Sequence, residues 1–148
     1  MKRVVASALV NESRERVWEL YADVPGTIGW VPFVEEVLYV RGPAGVGQTY
    51  QERTRLMGMS DVSEWLVVEW EAPRRQVHRS HNKLMDVDLV IEFEAVDDRT
   101  RVEQQALLRS RMPAIIGRLH EAAFGLVAES GLKQAVGGAK RRLDHARA

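Results

Sequence analysis

The chain has 148 residues, 45% hydrophobic and 28% charged, with 21 basic side chains against 21 acidic ones and no cysteine. That length buries about 68 to 70% of the unfolded surface, enough for one core without staples. The lack of cysteine excludes disulfides, thiolate nucleophiles, Cys-rich zinc sites and iron-sulfur clusters. Zero net charge removes the counterion-release drive toward nucleic acid or an anionic membrane, so one domain over residues 1–148 is expected, with no nucleic-acid partner.

At the start, Lys2-Arg3 precedes Val4-Val5-Ala6-Ser7-Ala8, a superficial signal-peptide pattern. Only two apolar residues come before the small ones, where an h-region needs roughly 7 to 15. No run approaches the roughly 18 apolar residues of a membrane span. The expectation is a first strand, a cytoplasmic location and no stable membrane insertion. Asn11-Glu12-Ser13, formally a glycosylation sequon, reads as capping chemistry: Ser13 opens a helix to Ala22 with Val17, Leu20 and Tyr21 on one face. Val24 to Phe33, broken by Pro25, Gly26, Gly29 and Pro32, reads as a helical turn or lid.

Six strand-like runs follow: Val34–Arg41, Gln48–Met57, Val62–Glu71, Gln76–Lys83, Met85–Val96 and Thr100–Arg109. The turns between them, Gly42 to Gly47, Gly58 to Asp61, Ala72 to Arg74 and Asp97 to Arg99, are short enough for an antiparallel meander. Met85, Val87, Leu89, Ile91 and Phe93 alternate with mostly acidic residues, which gives that strand one wet face carrying Asp86 and Asp88. From Pro113 to about Ala146 the period is helical, with Ile115, Leu119, Ala122, Leu126, Val136, Ala139 and Leu143 near one stripe. Gly125, Gly131, Gly137 and Gly138 each cost about 1 kcal/mol there, which asks for close sheet approach, a bend or open space.

Ser13 to Leu20 with Ala22-Asp23-Val24, then Trp30 to Val34, Val46-Gly47, Val67 to Arg75 and Thr100-Arg101-Val102, together resemble the START-like (SRPBCC) helix-grip superfamily. Its bacterial members include polyketide cyclase/dehydrase-type and coenzyme-Q-binding proteins. The resemblance implies an α+β helix-grip fold: a curved antiparallel sheet of about seven strands around a long C-terminal helix, with two short helices after the first strand. It also implies an apolar cavity between sheet and helix for a lipid, isoprenoid quinone or polyketide. Small residues on a helix facing a concave sheet would leave such room.

Register counting supplies candidate polar residues. Val77 sets the inward parity of its strand, which places Arg79 and His81 inside; Tyr50 and Leu56 bring Glu52 and Thr54 in, and Val102 and Leu108 bring in Gln104. Glu52 and Arg79 would form the buried pair, because an unpaired buried ion costs several kcal/mol. The catalytic candidates are Arg79, His81, Glu52 and Tyr50, with Arg79 or Tyr50 polarising a carbonyl and His81 or Glu52 moving a proton. The expected ligand-binding set is Trp30, Phe33, Tyr50, Arg79, His81, Met85, Val87, Leu89, Ile91, Gln104, Leu119 and Leu126. Glu129 falls near the helix stripe, where it either caps the pocket or meets solvent.

His78 and His81 stand three apart on a strand and so face opposite sides, which argues against a metal site; no metal and no cofactor is expected. The Gly42–Gly47 run precedes a strand, so it lacks the helix end of a phosphate loop. Three functions follow: binding of a hydrophobic small molecule, a cyclase or dehydratase in the same cavity, or a protein-interaction or regulatory module. A homodimer is left open.

Overall fold

The computed structural model describes residues 1–81 and 84–147. Strand β1 (Lys2–Val10) leads to helix α1 (Arg14–Ala22), whose first turn is capped by the Ser13 hydroxyl accepting from the Arg16 N–H at 3.3 Å. A short 3-10 helix (Val24–Gly29) follows, then six strands: β2 (Val34–Arg41), β3 (Thr49–Leu56), β4 (Met59–Glu71), β5 (Arg75–His81), β6 (Met85–Val96) and β7 (Arg99–Ser110). The chain closes with the 34-residue helix α2 (Ala114–Arg147).

All seven strands join one antiparallel sheet in the order β1-β7-β6-β5-β4-β3-β2. This is the α+β helix-grip architecture. The expected continuation of β5 to Lys83 lies outside the described residues. The β3–β4 turn is tighter than expected. Leu56 pairs directly with Met59, so Met57 and Gly58 alone make the turn, at φ of 51° and 77°. Positive φ at both positions is the two-residue turn whose twist suits a hairpin, and it returns Met59, Ser60 and Asp61 to β4.

The core lies between α2 and the concave face. β6 contributes Met85, Val87, Ile91 and Phe93, and β7 contributes Val102, Ala106 and Leu108. Trp18 seals one end of the sheet by edge contacts with Trp70 and Phe93, centroids 4.9 and 5.3 Å apart.

The inward stripe of α2 keeps the expected Val136, Ala139 and Leu143 and corrects the N-terminal half of the expectation. It runs through Gly117, Glu121, Gly125, Leu132, Ala135, Val136, Ala139 and Leu143. Leu119 and Leu126 stand on the opposite side, 65% and 66% exposed, with Ile115 and Ile116. In the N-terminal half of α2 the large aliphatics suggest a face opposite to the one that packs, where Gly117 and Gly125 let the helix approach the chain beneath it.

Gly138 gives the clearest case: a Cβ there would collide with the Trp30 carbonyl, where the lid segment crosses the helix. Adjacent Gly137 would place a Cβ 3.4 Å from only the flexible end of Arg141. Gly137→Ala should therefore stabilise the protein by about 0.5–1 kcal/mol through helix propensity. Gly138→Ala should destabilise it by about 1–3 kcal/mol through overpacking against backbone. Urea denaturation of the two variants checks the opposite signs.

Candidate functional site

Between α2 and the sheet lies a cavity of about 410 Å³, within the size range of small-molecule sites. Val87 and Leu89 of β6, Ala106 of β7, and Phe124, Ala128, Gly131 and Leu132 of α2 form its apolar walls, with Phe33 from the lid, and β7 adds the polar Gln104. β3 and β4 supply Glu52, Thr54, Leu56, Ser63 and Trp65. Met59, Ser60 and Asp61, all exposed, mark its open end. A second chamber of about 90 Å³ shares Phe33, Glu52, Leu89 and Gln104, and extends inward past Tyr21, Trp30, Tyr50, Gln76, His78 and Ile91.

Polar groups at the inner end are ordered by hydrogen bonds. The Tyr50 hydroxyl lies 2.7 Å from His78 Nδ1, and His78 Nε2 lies 2.8 Å from Gln76 Oε1. With the Gln76 oxygen so placed, His78 carries its proton on Nε2 and donates it there, while Nδ1 accepts from Tyr50. Burial lowers the His78 pKa to about 4, so the ring is neutral at pH 7. Burial, then the Glu52 charge, raises the Tyr50 phenol, which stays a donor. Gln104 donates through Nε2 to the Tyr21 hydroxyl at 2.8 Å.

Glu52 stands apart, since its carboxyl makes no hydrogen bond or ion pair among the described residues. Burial raises its pKa to about 7. A carboxyl so poised exchanges a proton near neutrality, which suits hydrogen bonding to a ligand or acid-base work.

Sequence reasoning brings Tyr50, Glu52 and Gln104 to this cavity, with Trp30, Phe33, Val87, Leu89 and Ile91, and the structure gathers them there. It separates the others. Arg79 and His81 are on the outer face of the sheet, not inside. Arg79 Nε and Nη2 donate to the two Asp88 carboxylate oxygens at 2.8 and 3.2 Å, and His81 Nδ1 is 2.8 Å from Asp86. The parity fails because Val77, though buried, faces outward opposite Val90, while the polar Gln76, His78 and Ser80 face in opposite Ile91, Leu89 and Val87.

Met85 is 1% exposed and packs in the core rather than on the cavity wall. Leu119 and Leu126 point to the outer side of α2 and line neither chamber. Glu129 pairs with Lys133 at 2.9 Å and does not cap the pocket. The residues that sequence reasoning missed are Gln76, His78, Tyr21 and Trp65. One signal for the first two is charge complementarity across the β5–β6 hairpin, which puts Arg79 and His81 on the face of Asp88 and Asp86.

A curved sheet gripping a helix over an apolar cavity with a few ordered polar groups defines a helix-grip protein with an internal pocket. The model of the family described as "Polyketide cyclase / dehydrase and lipid transport" matches residues 1–145, and the chain belongs to that family. No curated protein sequence matches it. Among solved structures, a protein of Thermus thermophilus is 21% identical, with a TM-score of 0.79 over 99% of this chain and 100% of that one. The Zhui aromatase/cyclase of Streptomyces sp. R1128 is 18% identical, with a TM-score of 0.75 over 98% and 97% of the two chains. A START superfamily protein from Mycobacterium smegmatis is 14% identical, with a TM-score of 0.72 over 97% and 98%. At these identities the likeness is one of fold. No helix among the described residues is long and apolar enough to cross a membrane.

Glu52 and His78 oppose each other in the pH dependence of stability. Glu52 has a raised pKa, so its contribution is greatest below its ordinary 4.5 and is lost as pH rises to about 7. His78 has a lowered pKa, so its contribution is present above its ordinary 6.5 and is lost as pH falls to about 4. Glu52→Gln should thus gain stability over the parent at pH 8 and none at pH 4. Its stability should also rise more steeply than the parent's between those limits. Urea midpoints that shift equally at both pH values would show that Glu52 is not held above its usual range.

Proposed function

We propose that the protein, as one unit of residues 1–148, binds a hydrophobic or amphipathic small molecule between the sheet and α2, of the lipid, isoprenoid quinone or polyketide kind. The cavity itself carries this reading: about 410 Å³, mostly apolar in its walls and open at Met59 to Asp61. Family membership and the aromatase/cyclase and START neighbours support it.

Titration with the neutral fluorophore N-phenyl-1-naphthylamine tests it. Ala128→Phe, which fills the wall, should weaken binding at least about tenfold, a loss of about 1.4 kcal/mol. Leu126→Ser, on the outer side of α2, should leave it unchanged. Native mass spectrometry of protein from its own host should reveal an apolar occupant. If the parent binds no fluorophore and carries no occupant, the reading fails.

A second reading, a cyclase or dehydratase, is favoured by the carboxyl of Glu52, raised to about 7 inside the same space. On a β-hydroxy ketone, ionised Glu52 would take the proton from the carbon between carbonyl and carbinol. It would then return that proton to the departing hydroxyl, so that a C=C bond forms and water leaves. Arg79 and His81 take no part, since they lie on the other face. Under this reading Glu52→Gln abolishes turnover of a β-hydroxy ketone while retaining fluorophore binding. Turnover that survives the substitution excludes Glu52 as the base.

A further inference from the structure

The polar lining of the cavity is one-sided in charge. Among the described residues no lysine or arginine lines either chamber, whereas Glu52 and Asp61 do. The cations that neighbour it in sequence are turned away or engaged. Arg53 and Arg55 follow Glu52 by one and three residues and so alternate to the other face of β3, where Arg53 pairs with Glu36. Arg79 is held by Asp88 outside the sheet, and Lys133 of α2 by Glu129. His78 supplies no positive charge either, because its burial between Tyr50 and Gln76 keeps the ring neutral at pH 6 to 8.

Hydrogen-bonding capacity is uneven as well. The Tyr50 proton is given to His78, and the Gln104 amide donates to Tyr21. Among the described residues Glu52 is left as an acceptor without a donor, on the same wall as Trp65, whose buried indole N–H has no acceptor. In the inner chamber the Trp30 indole N–H and the Gln76 amide N–H have none either, so the donors left for a guest are all uncharged. We propose that the cavity selects ligands whose buried polar end is a neutral hydroxyl, alcoholic or phenolic, and rejects those that end there in a carboxylate or phosphate. A hydroxyl both donates, as Glu52 requires, and carries lone pairs, as the indole N–H requires. An anion would meet a second carboxyl with no counter-ion in an apolar enclosure, so one of the two acids must be protonated before both can be buried.

The inference rests on the cavity being a ligand site, and the test separates the two claims. Three probes of one shape, 2-naphthol, 2-naphthoate and 2-methylnaphthalene, are titrated into the full-length protein at pH 8 by calorimetry. The expected order is naphthol tightest, methylnaphthalene next and naphthoate weakest, with at least about tenfold, or 1.4 kcal/mol, between the first and last. Glu52→Gln should narrow that interval, chiefly by improving naphthoate.

Lowering the pH to 6 should narrow it too, through Glu52. The other titratable groups on these walls are Asp61, Tyr50, His78 and Tyr21, and the lining face of α2 contributes none among the described residues. Asp61 is exposed at the open end, so the substitution separates its effect from that of Glu52. Naphthoate binding as tightly as naphthol, or an interval that Glu52→Gln leaves untouched, overturns the selectivity while the binding cavity stands. Failure of all three probes, methylnaphthalene included, overturns the cavity reading and the selectivity with it.

Discussion

The distance at which α2 lies from the sheet decides everything else in this molecule. Where the helix passes over β1, Gly125 leaves room for the stem of Lys2 and for Val4, whose side-chain carbons would be 3.4 to 3.7 Å from a Cβ. Further along, Gly138 admits the Trp30 carbonyl, and the helix end is tied to β1 by Lys140 donating to the Leu9 carbonyl at 2.8 Å. Close contact is thus made over β1 and at the lid. Over β3 and β4 the curved sheet turns away, and Leu56 reaches across to the helix, 3.1 Å from where a Gly131 Cβ would stand. Small residues in a tight core would ordinarily be filled against. Here Ala106 and Ala128 face each other's elements across the space that becomes the cavity.

The inner end of that space depends on an unusual strand. β5 turns Gln76, His78 and Ser80 toward the interior, all buried. Polar groups in such a place must find partners or cost free energy, and His78 finds two. Holding the imidazole neutral by burial makes it an acceptor for Tyr50, which commits the phenol proton to the protein rather than to a ligand. The same network leaves Glu52 as an acceptor without a partner, and on β5 itself the Gln76 amide N–H and the Ser80 hydroxyl without one. A single feature, the polar inner face of β5, therefore sets which hydrogen-bonding capacity remains for a guest.

The limits of the sequence follow from the same geometry. β6 and β7 are readable because their alternation is strict: Val87, Leu89, Ile91 and Phe93 on one, Val102, Gln104, Ala106 and Leu108 on the other, all turned inward. β3 is readable for the same reason, which is how Tyr50, Glu52 and Gln104 can be gathered from pattern alone. β5 is not, since hydrophobicity marks Val77 as inward although it is buried on the outside against its cross-strand neighbour Val90. In the N-terminal half of α2 the larger aliphatics point to Leu119 and Leu126, while packing distance selects Gly117 and Gly125. In both elements, residue size and polarity give the wrong face where function requires a space rather than a filled core.

The outer face explains why β5 can hold this inverted arrangement. Arg75 with Glu69 and Glu92, Arg79 with Asp88, and Asp86 with Arg111 form a belt of ion pairs across the convex face, with His81 in hydrogen-bond contact with Asp86. Such exposed pairs each add little, about 0–1 kcal/mol. Their larger effect is on register, since a slip of one residue turns every side chain over. A slipped β5 would turn Arg79 to the face of the sheet that carries Glu52 and bury Val77 inside, the arrangement that hydrophobic pattern alone favours. It would also strip Asp88 of its two-oxygen contact with Arg79 and drive His78 outside, leaving Tyr50 with a buried hydroxyl and no acceptor. The charges on the convex face and the hydrogen bonds on the concave face thus select the same register. By excluding Arg79 from the interior, that register leaves Glu52 without a counter-ion.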